Sequence, residues 1–281
     1  MDDFFLNRKA VIATKHHKEF VIAPVLKQEF FIDTVVPSDF DTDSFGTFSG
    51  EVERTEDPIT ILRKKCEWGM EKTQLDMAFA SEGSFGPHPS FMMLPSDDEL
   101  VMLYDKKNDI TLVGRELSFD TNFDGKNIVS WNDLLEFAEK SDFPSHALIL
   151  KKSKNDLKGM VKGIQSREQL RVVYDSLKDK QGRVFVETDM RAHLNPTRMR
   201  IIEKAVYHLI KKMKSRCPEC GYPGFEVQEI KRGLPCKVCG TPTNSILSQM
   251  LKCKKCEYEK EILFPDKKVT EEPMYCDVCN P

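Results

Sequence analysis

The chain has 281 residues, 40% hydrophobic and 31% charged, with a net charge of −3. That length supports a sizeable core plus a small appended module, and no apolar run reaches the roughly 18 residues a membrane span needs. The near-neutral total hides an asymmetry: residues 1–150 hold 15 basic against 28 acidic side chains, 151–216 hold 18 against 7, and 217–281 hold 9 against 10.

Arg8–Thr14 reads as a short buried strand, followed by a weakly amphipathic stretch to about Gln28 in which Pro24 predicts a kink or early stop. Asp57-Pro58 has the form of an N-cap with proline at the first helical position. It opens a helix through Ile59, Leu62 and Cys66, with Cys66 a core thiol. Met77–Ser81, Leu100–Tyr104 and Ile110–Val113 predict strands, the last two forming a hairpin across Lys106–Asp109. Ser130 caps a helix over Trp131–Glu139. A β-α-β-α run follows. Ala147–Leu150 is a strand, and Ser166 with Gln169 is a capping box for a helix carrying Leu170, Val173, Tyr174 and Leu177. Gly182 ends that helix, Arg183–Glu187 is a strand, and Asn195-Pro196 opens a last helix with Ile202, Ala205, Val206, Leu209 and Met213 at helical spacing. Alternating strands and helices imply an α/β fold with a mixed or mostly parallel sheet and flanking helices. The expected organisation is an acidic α/β domain over 1–150, its basic continuation over 151–214, and a small cysteine-rich module over 215–281.

That module holds eight of the nine cysteines, in four CxxC pairs: Cys217/Cys220, Cys236/Cys239, Cys253/Cys256 and Cys276/Cys279. Two thiolates three residues apart grip one side of a Zn²⁺ ion, and a second pair completes the tetrahedron. Four pairs make two structural Cys₄ sites, a double zinc ribbon. Sequential pairing closes the shorter loops and is the expectation; interleaved pairing is the alternative. The chain opens Met1-Asp2-Asp3 without a basic-then-apolar leader, so a reducing cytoplasm is the expected compartment. A ribbon that grips phosphates would normally be basic, and this one is not. A protein partner is the expected use of its surface.

Three polar clusters lie at strand ends and in the loops after them, where α/β proteins keep ligand sites. Thr14-Lys15-His16-His17-Lys18 offers a hydroxyl and two lysines to a phosphate, against the plainer reading of solvated surface side chains. Asp41 to Arg54, together with Ser81-Glu82-Gly83-Ser84-Phe85-Gly86-Pro87-His88, reads as glycine turns around a displayed carboxylate, Glu82. Carboxylates near phosphate-binding lysines suit Mg²⁺-assisted phosphoryl chemistry. In Glu187–Arg198, Arg191 and Arg198 can clamp an anion while Asp189 orients one of them or acts on the substrate; a structural salt bridge is the rival role for Asp189 and Arg191.

The segments ETDMRAHLNPTR (187–198), CPECGYPGF (217–225) and YCDVCNP (275–281), with ATKHHKE and ASEGSFGPHP upstream, resemble an uncharacterised bacterial domain-of-unknown-function family with a double CxxC ribbon. A second, shorter likeness runs through RKAVIATKHHK, TFSGEVER and ASEGSFG and is similar to inosine-triphosphatase-like and Maf-like nucleotide pyrophosphatases. It implies phosphate contact by Lys15 or Lys18 and a metal or base role for Glu82. His17 stands where that family has an asparagine, the doubled acidic signature is reduced to Glu82, and the late substrate motif is missing. The reading is a Mg²⁺-assisted hydrolase of a nucleotide or another phosphorylated small molecule, with a non-enzymatic zinc-ribbon adaptor for protein or nucleic acid as the alternative. An enzyme requires Lys18, Glu82 and Arg191 to converge; an adaptor leaves them scattered.

Overall fold

In the computed structural model, residues 4–37 and 56–281 are described. Contacts divide the chain into two compact units, Asp2–Ile210 and Lys211–Pro281.

The first unit begins with β1 (Lys9–Ala13), whose last four residues are all buried. A strand buried on both faces belongs in the middle of a parallel arrangement, and β1 pairs in parallel with β2 (Asp33–Val35) and β3 (Met77–His88). The sheet continues antiparallel through β4 (Phe91–Asp105) and β5 (Ile110–Ser118), in the order β2-β1-β3-β4-β5. α1 (Glu19–Phe30) joins β1 to β2, and α2 (Pro58–Thr73) carries the chain back past β1 to β3. Right-handed crossovers running in opposite directions put the two helices on opposite faces. The direction of strand connection therefore reverses at β1, and the carboxyl ends of β1 and β3 flank a switch point of the kind that opens a ligand crevice. α2 buries Leu62, Cys66 and Met70 against Val11, Ala13, Ala78, Ala80, Met102 and Tyr104. Cys66 is the core thiol the helical spacing predicts.

Pro24 does not stop α1, which runs on with Val25, Leu26 and Phe30 buried. The bond it forfeits would reach the Phe20 carbonyl in the first turn, where backbone groups are least committed. The glycine-turn reading of Gly83 and Gly86 is also corrected. β3 continues through both glycines to His88, and β4 starts at Phe91, so one long hairpin replaces two short strands and a loop.

A second sheet of the same unit is antiparallel throughout. Its order is β6-β9-β7-β8, from β6 (Gly125–Ile128), β9 (Val184–Thr188), β7 (Leu148–Lys151) and β8 (Val161–Ile164). α3 (Trp131–Lys140) and α4 (Arg167–Leu177) share its core through Leu134, Phe137, Leu170 and Val173. The change of charge at 150/151 falls inside β7. The short β8, with Gly163 at φ +74, carries too little pattern to be read, and its insertion makes β7 and β9 antiparallel rather than a parallel β-α-β pair. α5 (Pro196–Lys214) buries Ile201, Ile202, Ala205, Val206, Leu209 and Ile210. It rests directly on β5 at Gly114, where a Cβ would stand 2.2 Å from the Ala205 carbonyl oxygen and 2.5 Å from the Leu209 nitrogen.

The second unit is a meander of β10 (Glu226–Arg232), β11 (Ile246–Lys252) and β12 (Glu259–Leu263). Phe225 and the sulfur-bearing Cys217 and Cys253 form its small core, flanked by Tyr222, Leu251 and Tyr258.

Because the atoms facing Gly114 are backbone, α5 must shift bodily to admit a methyl group. Gly114→Ala is expected to lower stability by about 1–3 kcal/mol, read as a fall in the urea midpoint; an unchanged midpoint would show that α5 does not pack this closely.

Candidate functional site

The four CxxC pairs form matching knuckles. In each of the first three, the first cysteine's N–H donates to a carbonyl five residues on, from Cys217 to Tyr222, Cys236 to Thr241 and Cys253 to Tyr258. The residue after the second cysteine then turns left-handed, at Gly221 (φ +71), Gly240 (φ +73) and Glu257 (φ +60). The sulfurs gather as Cys217, Cys220, Cys253 and Cys256 in one group, and Cys236, Cys239, Cys276 and Cys279 in the other. Sequential pairing is therefore overturned and pairing is interleaved. Each strand of the meander carries the chain to the opposite end of the sheet, so alternate knuckles meet.

Sγ–Sγ separations are 3.6 Å for Cys217–Cys256, 3.5 Å for Cys220–Cys253, 3.9 Å for Cys236–Cys279 and 3.6 Å for Cys239–Cys276. Four sulfurs placed 2.3 Å from a tetrahedral ion stand about 3.8 Å apart, whereas a disulfide needs about 2 Å. Both groups therefore fit a metal ion. Crowding splits their proton affinities. The Thr241 hydroxyl draws Cys239 down to about 6, while Cys239 pushes Cys279 up to about 12. A dication relieves that repulsion and displaces the protons.

A second constellation lies at the carboxyl ends of β1 and β3. The loop after β1 carries Lys15, His16, His17 and Lys18, with His16 (φ +66) and His17 (φ +60) both left-handed. For non-glycine residues this costs roughly 1–2 kcal/mol each, and such strain collects at ligand sites and switch regions. Lys18 is buried, its Nζ 3.9 Å from Glu99 Oε2. Burial and then Arg198 pull its amine down to about 8, against the opposite pull of Glu99 and Glu82.

The register of the hairpin sorts the acidic groups by face. Glu82 pairs with Leu100 and turns to the α2 side, where Lys65 donates to it. Glu99 pairs with Gly83 and Asp97 with Phe85; both turn to the α5 side and are fully buried. Arg198 donates through Nε to Glu99 Oε1 at 2.6 Å and through Nη1 to the Met190 carbonyl, and its guanidinium stands 4.9 Å over the Phe85 ring. Gly83 makes this pair possible, since a Cβ there would meet Glu99 Oε1 at 2.2 Å and Arg198 Nη2 at 2.6 Å. Burial, with Glu99 beside it, raises the Asp97 carboxyl to about 8.

Asp189 is fully buried and accepts from the Gly163 N–H and from the Arg191 Nε and Nη2. It braces Arg191, the structural salt bridge weighed against a ligand role. Asn195 caps α5 by accepting from the Arg198 N–H at 3.0 Å. The His193 ring stacks on His16 at 5.1 Å, and burial followed by His193, Lys18, Arg198 and Arg191 drives the His16 imidazole down to about 3. Lys18, Glu82, Glu99, Asp97 and Arg198 thus form one electrostatic cluster. His16 and His193 adjoin it, with Arg191 close enough to perturb both histidines. Lys15 sits half-buried at the start of the same loop. The predicted Asp41–Arg54 cluster lies outside the described residues.

Sequence reasoning missed Lys65, Asp97 and Glu99. Lys65 follows Leu62 by three positions on the buried stripe of α2, where an apolar residue is expected. Asp97 and Glu99 alternate with Val101 and Leu103 on one strand face, a period-2 signal that puts acids inside.

No curated protein matches this chain. The sequence pattern of DUF6671, a domain of unknown function, matches residues 65–281. The matched stretch takes in Lys65, Glu82, Asp97, Glu99, Asp189, Arg191, Arg198 and all eight paired cysteines, and the chain belongs to that family.

Proposed function

We propose that the polar cluster at the ends of β1 and β3 binds a phosphorylated small molecule, a nucleotide being the leading class, and hydrolyses it with the help of Mg²⁺. The observation that carries this reading is the buried cluster itself. Lys18, Lys65 and Arg198 meet Glu82 and Glu99 at the topological switch point. Burying that many charges costs several kcal/mol per ion unless each is paired, and titratable groups perturbed by burial and by specific charge partners are functional-site candidates. Lys15, Lys18, Arg191 and Arg198 are the anion-binding candidates. Lys18 and Arg198 hold the innermost charges, and Arg191, oriented by Asp189, is the most exposed of the arginines near the cluster. The displayed acid of the inosine-triphosphatase-like resemblance, Glu82, is the candidate base. Mg²⁺ would neutralise phosphate charge.

The two cysteine groups are assigned zinc on their donor set. Four thiolates in a tetrahedron suit zinc, and a site with no open position is structural. A protein-docking role for the ribbon is favoured by one observation. Val238, Met274, Tyr275 and Val278 are exposed around the second knuckle pair, whereas the first pair displays Pro218, Glu219, Lys254 and Lys255.

Purified protein is expected to contain two zinc ions per chain by elemental analysis. The double variant Cys217→Ser/Cys253→Ser should keep one of them, because both residues serve the same group. If it lost both, the pairing would be sequential after all. With Mg²⁺ and a panel of canonical and non-canonical nucleoside triphosphates, phosphate or pyrophosphate release is expected. Lys18→Ala should raise KM by about ten- to a hundredfold, the worth of a charged hydrogen bond, and Glu82→Gln should cut kcat by about 10²–10⁴-fold. Silence across the panel would remove the hydrolase reading.

A further inference from the structure

Among the described residues, four buried side-chain oxygens without a hydrogen-bond partner stand on one face of the β3–β4 hairpin: Ser81 Oγ, both Asp97 oxygens and Glu99 Oε2. The hairpin register explains their grouping. Ser81 pairs with Val101, Glu99 with Gly83 and Asp97 with Phe85, so all three side chains rise from the face that packs on α5. Asp97 and Glu99 are two residues apart on one strand, which sets their carboxyl groups side by side. Both are fully buried, and Ser81 is 3% exposed.

Buried oxygens left without donors are rare in folded proteins, and an ion is one of the accepted reasons for them. Here the orphaned atoms are all oxygens, the donor set of a hard cation rather than of zinc. We propose that Asp97 and Glu99 hold a divalent cation of the Mg²⁺ or Mn²⁺ type, with Ser81 next along the same face, where it can reach the ion's hydration shell. Arg198 occupies Glu99 Oε1 and leaves Oε2 without a hydrogen-bond partner. Lys18 Nζ, at 3.9 Å from Oε2, lies beyond hydrogen-bond reach of it.

This placement changes the phosphate reading, on which it rests for the cation's second ligand. Glu82, the acid expected from sequence to hold metal, faces α2 and accepts from Lys65. It keeps a role as base, and the metal moves to the opposite face of the same strand end. With both carboxylates ionised, as a cation requires, Lys18 and Arg198 balance Asp97 and Glu99, so a bare dication would add two uncompensated charges. A diphosphate group arriving with it supplies the missing anions, so cation and phosphate should bind each other's complexes better than either binds alone.

The test is a Mn²⁺ titration of the full-length, zinc-loaded protein, with free metal followed by electron paramagnetic resonance, in the absence and presence of inorganic pyrophosphate. One saturable site is expected, tightened by pyrophosphate and weakened by about tenfold or more in Asp97→Asn. Ser81→Ala, which removes no charge, should weaken it by a smaller factor and guards against misfolding of the first variant. No saturable binding at millimolar Mn²⁺ under either condition would overturn the proposal and leave a shared proton as the occupant. Loss of the site in Glu82→Gln but not in Asp97→Asn would overturn it too. Mn²⁺ bound through Asp97 without any triphosphate turnover would remove the hydrolase and keep the cation site. Mg²⁺-dependent turnover that survives Asp97→Asn would do the reverse.

Discussion

The ion pair between Arg198 and Glu99 is the interaction on which the arrangement of the first unit's polar centre depends. It is buried on both sides, at 7% and 0% side-chain exposure. Removing either partner would strand the other's charge, at about 3–5 kcal/mol. The pair exists because three separate local features agree. Asn195 caps α5 and so fixes the turn that presents Arg198. Gly114 lets α5 lie against the backbone of β5, and Gly83 leaves an empty position opposite Glu99. A side chain at either glycine would push apart the surfaces that the ion pair joins. The glycines are there for close approach in the middle of strands, and neither makes a turn.

That distinction accounts for much of what the sequence concealed. The continuous apolar run of β1, the Asp57 and Ser166 caps, and the stripe along α5 were legible because each is a local pattern with a local cause. ASEGSFGPHP was misread, since glycine and proline signal a turn when only neighbours in sequence are considered. Within a sheet, glycine also signals that another element comes close, and Arg198 lies 115 positions downstream of Gly83. For the same reason Glu82 drew notice while Asp97 and Glu99 did not. In DDEL the acids look like a solvated run, and only the strand register reveals that alternate ones point inward.

The cysteine pairing shows how a correct local principle loses to a stronger one. Interleaved pairing roughly doubles the loop between paired knuckles, which raises the closure cost by only about 0.6 kcal/mol. Against that stands a three-stranded antiparallel sheet, β10-β11-β12, whose ladders are fixed by register. The meander sends successive knuckles to opposite ends, separated by strands of seven, seven and five residues that span about 17–23 Å at about 3.3 Å per residue. Thiolates of neighbouring knuckles cannot share an ion across that distance. Spacing established the ligands, and the strands between them decided their partners.

The charge count of the polar centre links its two faces into one argument. With all groups ionised, Lys18, Lys65 and Arg198 balance Glu82, Asp97 and Glu99, so the cluster is neutral. In a poorly solvated site an unbalanced unit charge costs several kcal/mol, which disfavours a lone phosphate group and a lone dication alike. Their complex is close to neutral and escapes both penalties. On the reading proposed above, a centre that is neutral with all its groups ionised would favour the metal–phosphate complex over either ion alone.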